Sequence, residues 1–112
     1  MSIQWVLQEQ PLSFSPKRTG ERLTYGFDFK NIIGSGEGIV STIWEIEAVR
    51  PPGASITGMI VGSPTFNPTQ TFQTIKSGTH GALYSVIAQI TTNLGHVMEE
   101  NALLLVTDSA YK

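Results

Sequence analysis

Apolar and polar residues alternate with a period of two along most of this chain. Leu23, Tyr25, Phe27 and Phe29 interleave with Thr24, Gly26, Asp28 and Lys30. Successive side chains of a strand point to opposite sides, so this run predicts a strand with one buried face. From Ile39 to Ala48, one face would carry Val40, Thr42, Trp44, Ile46 and Ala48, and the other Ile39, Ser41, Ile43, Glu45 and Glu47. Ile56 to Val61 predicts a short strand, Ser63 to Pro68 a loop that holds Phe66, and Thr69 to Lys76 another strand. Ala82 to Thr92 fits two templates. Leu83, Val86, Ile87, Ile90 and Leu94 suit a helix, whereas Tyr84, Val86, Ala88 and Ile90 suit one face of a strand. Val86, Ile87, Ile90, Thr91 and Thr92 are β-branched and stiff, which favours the strand. Asn93-Leu94-Gly95 then predicts a hairpin turn, and Val97 to Val106 the last strand.

Glycine and proline punctuate these runs at Gly34 to Gly38, at Arg50-Pro51-Pro52-Gly53 and at Ser77 to Gly81. Residues 1–16 read as an N-terminal arm anchored by Trp5, Leu7, Leu12 and Phe14. Within it, Leu12 and Phe14 alternate with Ser13 and Ser15, and the flanking Pro11 and Pro16 suit an edge strand. About seven short strands separated by turns predict an all-β fold, a single β-sandwich over residues 17–112 preceded by that arm. Phe27, Trp44, Tyr84, Val86, Ile90 and Leu105 are the expected core. Each large apolar side chain, fully buried, contributes roughly 1.5–3 kcal/mol.

Composition narrows the function. The 112 residues suffice for one domain. Only 14% are charged and the net charge is -2, which argues against nucleic acid, a partner that demands a basic footprint. The absence of cysteine removes a disulfide framework, a thiol nucleophile and cysteine-based metal sites. No apolar run reaches the roughly 20 residues needed to span a bilayer as a helix, and the first ten residues do not read as a secretory signal.

Few residues suggest chemistry. His80 and His96 stand apart in turns, short of the three or four ligands of a metal centre. No strand-turn-helix elbow surrounds any serine. Glu45 with Glu47, and Glu99 with Glu100, could pair for acid/base work but read better as a solvated face that discourages edge pairing. Gly34 to Gly38 has the glycines of a phosphate loop without its lysine or helix. Asp28 is placed to bond a nearby turn. No catalytic group, metal or cofactor is expected.

Two resemblances follow from these residues. Trp44 in the third strand, and Tyr84 two residues before Val86, resemble an immunoglobulin-type sandwich. That implies a buried strand C tryptophan and a tyrosine corner, with Val86 and Phe27 filling the place of the usual disulfide. A narrower resemblance rests on Lys17, Glu21, Leu23, Tyr25 and Asp28-Phe29, then Ile39-Val40-Ser41-Thr42-Ile43-Trp44, Gly81 to Val86, Thr91-Thr92 and Leu103 to Val106. The ordered set is similar to a family of small Ig-like structural proteins of tailed bacteriophages, the fibre-tail adaptors. Phe29 stands where the family usually has tryptophan, Arg18-Thr19-Gly20 replaces its proline-acid turn, and His96 takes the place of a common arginine.

The resemblance implies a non-enzymatic virion protein, made in the host cytoplasm. It would dock on a tail or neck ring, a portal or an adaptor, and link it to fibres or to neighbouring rings in several symmetric copies. A capsid decoration protein is the alternative within that class, and a carbohydrate-binding module for host-surface glycans the alternative outside it. For the latter, with Trp44 expected inside, Trp5, Phe66 and Tyr111 are thin material. The candidate interface comprises Trp5, Phe14, Lys17, Arg18, Arg22 and Phe66. Trp5 either closes one end of its own core or enters a neighbour's pocket. Lys17, Arg18 and Arg22 are either a solubilising turn or a contact for an acidic surface.

Overall fold

Tyr84, Val86, Ala88 and Ile90 have no exposed surface in the computed structural model of the chain. The ambiguous segment is therefore a strand, buried on the face that the period-two template assigns. The structure describes residues 3–7 and 12–108, and Pro11 and Tyr111 lie outside that set. The described residues form seven strands: β1 (Ile3–Trp5), β2 (Arg22–Asp28), β3 (Ile39–Arg50), β4 (Ile60–Phe66), β5 (Gln70–Lys76), β6 (Leu83–Thr92) and β7 (Val97–Leu105). No helix occurs among the described residues.

The strands make two sheets, ordered β1-β2-β5-β4 and β3-β6-β7. With the strands lettered in chain order, this is the ABED and CFG arrangement of the constant-type immunoglobulin sandwich. Pairings between these named strands are antiparallel except that of β1, which runs parallel to β2 through Ile3 with Thr24 and Trp5 with Gly26. After β1 the chain reverses, with Leu7 bridging Ser13, and returns beside β7, where Ser13 pairs with Leu103 and Lys17 with Val106. The stretch expected as an arm thus gives a strand to one sheet and lines the edge of the other.

The inner faces bury Tyr25, Phe27 and Ile75 from the first sheet against Trp44, Ile46, Tyr84, Val86, Ile90 and Leu104 from the second. Phe14 enters this core, 3% exposed, with its ring 4.8 Å from Tyr25 and 5.5 Å from Phe27. Phe27 in turn lies 5.2 Å from Trp44. Edge and tilted contacts of this kind add to area burial because a ring's positive edge meets its neighbour's negative face. The Tyr84 hydroxyl accepts from the Thr79 N–H at 2.9 Å and donates to the Ser55 carbonyl at 3.0 Å, which makes the tyrosine corner and ties two turns together.

Three local expectations are corrected. Leu105 is only partly buried, and Leu104 takes the core position. Leu104 stands opposite the inward Tyr84 in the ladder, so alternation turns Leu105 the other way. On β3, Ile39 is buried and Val40 is 53% exposed, the reverse of simple alternation. A register shift between Ile39 and Ser41 inserts one extra residue, and such a bulge flips the facing of what precedes it. Finally, β4 starts at Ile60 and continues through Phe66, where a loop was expected. Pro64 sits at a register shift between Val61 and Thr65 on an edge strand, the setting in which a sheet tolerates a residue that cannot donate.

Candidate docking interface

The outer face of the first sheet is built around a glycine. Inward alternation of Leu23, Tyr25 and Phe27 turns Thr24, Gly26 and Asp28 outward, and Gly26 lies beside Trp5 of β1 and Phe72 of β5. A methyl group at Gly26 would come within 2.8 Å of the Trp5 ring and 3.1 Å of the Phe72 ring. The missing side chain lets the two rings meet edge to face, 5.7 Å apart, over bare backbone. Trp5 remains 40% exposed. It borders a hollow of about 570 Å³ with Val6, Leu12, Asp28, Ile32 and Glu100, and Ile32 is itself 54% exposed. An exposed ring at the rim of a concave, partly apolar surface is what a protein anchor requires.

The expected basic cluster does not stay together. Lys17 is fully buried, and its ammonium donates to the carbonyls of Arg18 and Ser77 at 2.7 and 2.6 Å. Pairing with Val106 pulls the Lys17 backbone into the sandwich edge, so the side chain can only run inward. Lys17 and the buried Phe14 are thus withdrawn from the surface expected of them. Arg18 turns to the far end of the chain and donates to the Asp108 carbonyl at 3.3 Å. Arg22 alone faces outward on a sheet, directly opposite Lys76 of β5. Phe66 is 43% exposed on β4, well away from the hollow by sheet order.

The turns at the two ends are braced by carboxylates. Glu37, in the β2–β3 connection, receives the Thr92 hydroxyl and sits 2.7 Å from His96 Nδ1, while the Gly34 N–H donates to its other oxygen at 3.1 Å. The Thr92 hydroxyl bond, then that to His96, hold its carboxyl below the usual range. Asn93 completes the clasp by exchanging bonds of 2.9 Å with Gly38. At the opposite end, Asp108 accepts from the Thr19 N–H at 3.0 Å and from its hydroxyl, which lower its pKa in that order. His80 Nδ1 accepts from the Asp108 N–H at 3.1 Å. Both histidines are therefore engaged as turn braces.

Glu45 and Glu47 lie on the exposed face of β3, and Glu99 faces the same way on β7, within 3.0 Å of the Gln89 amide. Glu100 alternates to the other side and reaches the hollow near Trp5. Asp28 accepts from the Lys30 N–H at 2.9 Å, a local turn bond, and from Gln70 at 3.2 Å. Among the described residues no three His, Asp or Glu side chains gather as metal ligands would.

Residues 17–105 match the family model described as podophage GP4 fiber-tail adaptor protein gp77. The chain belongs to this fibre-tail adaptor family. No curated protein matches it. Membership makes the adaptor a structural component of the phage virion. The match covers β2 to β7 and leaves β1, Trp5 and Phe14 outside it.

Phe72, Lys76 and Ile32 on the surface, and Glu37 in the turn clasp, were not singled out by sequence. Phe72 and Lys76 alternate on one face of Thr69 to Lys76, a pattern that could have marked them. Nothing local distinguishes Ile32 or Glu37, whose roles depend on segments far away in the chain.

Proposed function

We propose that this adaptor docks on the tail or neck ring of a tailed phage in several symmetric copies and links that ring to fibres or to a neighbouring ring. The interaction is protein to protein, without catalysis or cofactor. Trp5 is its anchor. The observation that carries this reading is the half-exposed Trp5 ring at the rim of the roughly 570 Å³ hollow, in a segment outside the family match. Buried tryptophans dominate interface energetics, so a ring that enters a neighbour's surface is worth about 2 kcal/mol or more. Weak contacts repeated around a ring add up through effective concentration.

Tagged protein mixed with dissociated virions tests this. Recovery of a portal, adaptor ring or fibre protein is the expected result, with about tenfold or greater loss for Trp5→Ala. Recovery of none of these overturns the reading. Copy number in the intact particle separates the tail from the shell: hundreds of copies would make the protein a capsid decoration protein instead.

A further inference from the structure

The outer faces of the two sheets carry opposite charge. On the first sheet, Arg22 of β2 and Lys76 of β5 are directly opposed across the ladder, and both are exposed. Like charges placed opposite each other destabilise a strand pair, and neither side chain has an ion-pair partner among the described residues. Among the described residues the one acid on this face, Asp28, lies at the far end of β2 and is bonded to Gln70. On the second sheet, the outward positions of β3, β6 and β7 carry Glu45, Glu47 and Glu99 around Ile43, Ile87 and Val97. No Lys, Arg or His occurs from Ser41 to Glu47, Ser85 to Thr91 or Val97 to Leu103. Ile43 and Val97 are 58% and 59% exposed.

These features also match in height. The hydroxyls of Thr42 and Thr71 meet at 2.7 Å between the sheets, and Thr71 pairs with Phe27, so Thr42 and Phe27 stand at one level. Both strands run away from that level toward the same end. Arg22 is five residues beyond Phe27, and Glu47 is five beyond Thr42. Gly26, with Trp5 and Phe72 over it, is one residue beyond Phe27, and Ile43 is one beyond Thr42.

From this we infer that the occupant of each face is a second copy of this chain, shifted sideways so that the first sheet of one protomer stacks on the second sheet of the next. Arg22 and Lys76 then meet Glu45 and Glu47 of the neighbour, while Phe72 meets its Ile43 and Ile87 and Trp5, on the edge strand, stays at the rim of the hollow for the tail contact. Such a head-to-tail contact uses two different patches and closes into a ring when its rotation permits. The inference rests on the multi-copy reading above and adds which surfaces join the copies. Three seven-residue strands and the three-residue β1 cover roughly 400 Å². That is well below the roughly 800 Å² per partner of a stable complex. The contact is therefore weak between two free protomers and durable only in a closed ring.

The cysteine-free chain makes the test clean. Thr74→Cys and Ile87→Cys place one thiol at the centre of each face, and a short bismaleimide bridges the roughly 10 Å between packed sheets. At high protein concentration and low salt, mixing the two variants should give a cross-linked heterodimer, with about tenfold less homodimer from either alone. Salt at about 0.5 M should suppress the product. Adding R22E and K76E to the Thr74→Cys protein should abolish it, and E45K with E47K in the Ile87→Cys partner should restore it. These are exposed positions, and a far-ultraviolet spectrum checks that each variant is folded. Homodimers in equal yield, no heterodimer, or failure of the charge swap to restore it overturns the face assignment. None of those results alters whether the wild-type chain recovers tail proteins from virions, so the two readings fail separately.

Discussion

The Trp44 indole N–H donates to the Thr71 hydroxyl at 2.8 Å, across the space between the two sheets. Thr71 is fully buried, and its oxygen also meets Thr42 at 2.7 Å. One hydroxyl on β5 therefore satisfies two polar groups of β3 inside an apolar core. Buried polar groups left unpaired are costly, which makes this contact a fixed point between the layers.

Thr71→Val keeps the shape and removes the acceptor. It should destabilise the fold by about 1–3 kcal/mol through the orphaned indole N–H, while the Thr42 hydroxyl keeps its 3.0 Å bond to the Gln89 carbonyl. Chemical denaturation should show a lower midpoint with an unchanged slope, because the surface exposed on unfolding is the same.

Tyr84→Phe tests the corner. The hydroxyl serves the Thr79 N–H and the Ser55 carbonyl, so its removal leaves both without that partner and should cost about 1–3 kcal/mol. Hydrogen exchange at the Thr79 amide should accelerate by more than global destabilisation explains.

Tyr25→Phe should act in the other direction. Among the described residues the buried Tyr25 hydroxyl has no hydrogen-bond partner, and burial, with the nearby Glu21 charge, raises its pKa far above the ordinary value. Deleting a buried, unsatisfied hydroxyl should stabilise the protein by about 1 kcal/mol. A lower denaturation midpoint would show that the hydroxyl does have a partner in solution.

Gly26→Val would drive a side chain into the space taken by the Trp5 ring, which lies 2.8 Å from where the first carbon must go. The sandwich should stay folded while Trp5 is displaced from Phe72. Tryptophan emission should shift to the red through Trp5, since Trp44 stays buried, and recovery of tail proteins should fall as for Trp5→Ala. An unchanged spectrum would mean that β1 does not sit on β2 in solution.

Acid should loosen the protein through Glu37 and Asp108. Both carboxyls titrate lower in the folded chain than in the unfolded one, whose ordinary values are 4.5 and 3.8. Below those values the unfolded chain binds more protons, so their contribution is complete above about pH 4.5 and is lost as pH falls through the depressed folded values. Glu37→Gln should flatten the dependence of the thermal midpoint on pH on the acid side of about pH 4.5, relative to wild type.

Strand identity was legible because it is local. Tyr84 to Ile90 and Leu23 to Phe27 announce their buried faces by alternation and β-branching, properties of neighbouring residues that hold whatever the rest of the chain does. Trp44 and Tyr84, read together by their spacing, likewise pointed to the sandwich. Leu105 and Val40 were misread because parity within a strand depends on where a bulge falls and which residue stands opposite, and both are properties of the partner strand.

The docking surface was less legible for the same reason at longer range. Trp5 stood out as an aromatic in an arm, but its platform is Gly26 with Phe72, brought together by two separate pairings. Lys17 reads as a surface charge until the parallel bridge to Val106 draws it inside. The amino-acid pattern by itself determined an all-β chain with a defined inner face, because period-two alternation follows from the geometry of one strand. Only the tertiary structure decided which charges share an outer face and at what height, because that depends on the packing of two sheets whose strands are far apart in sequence.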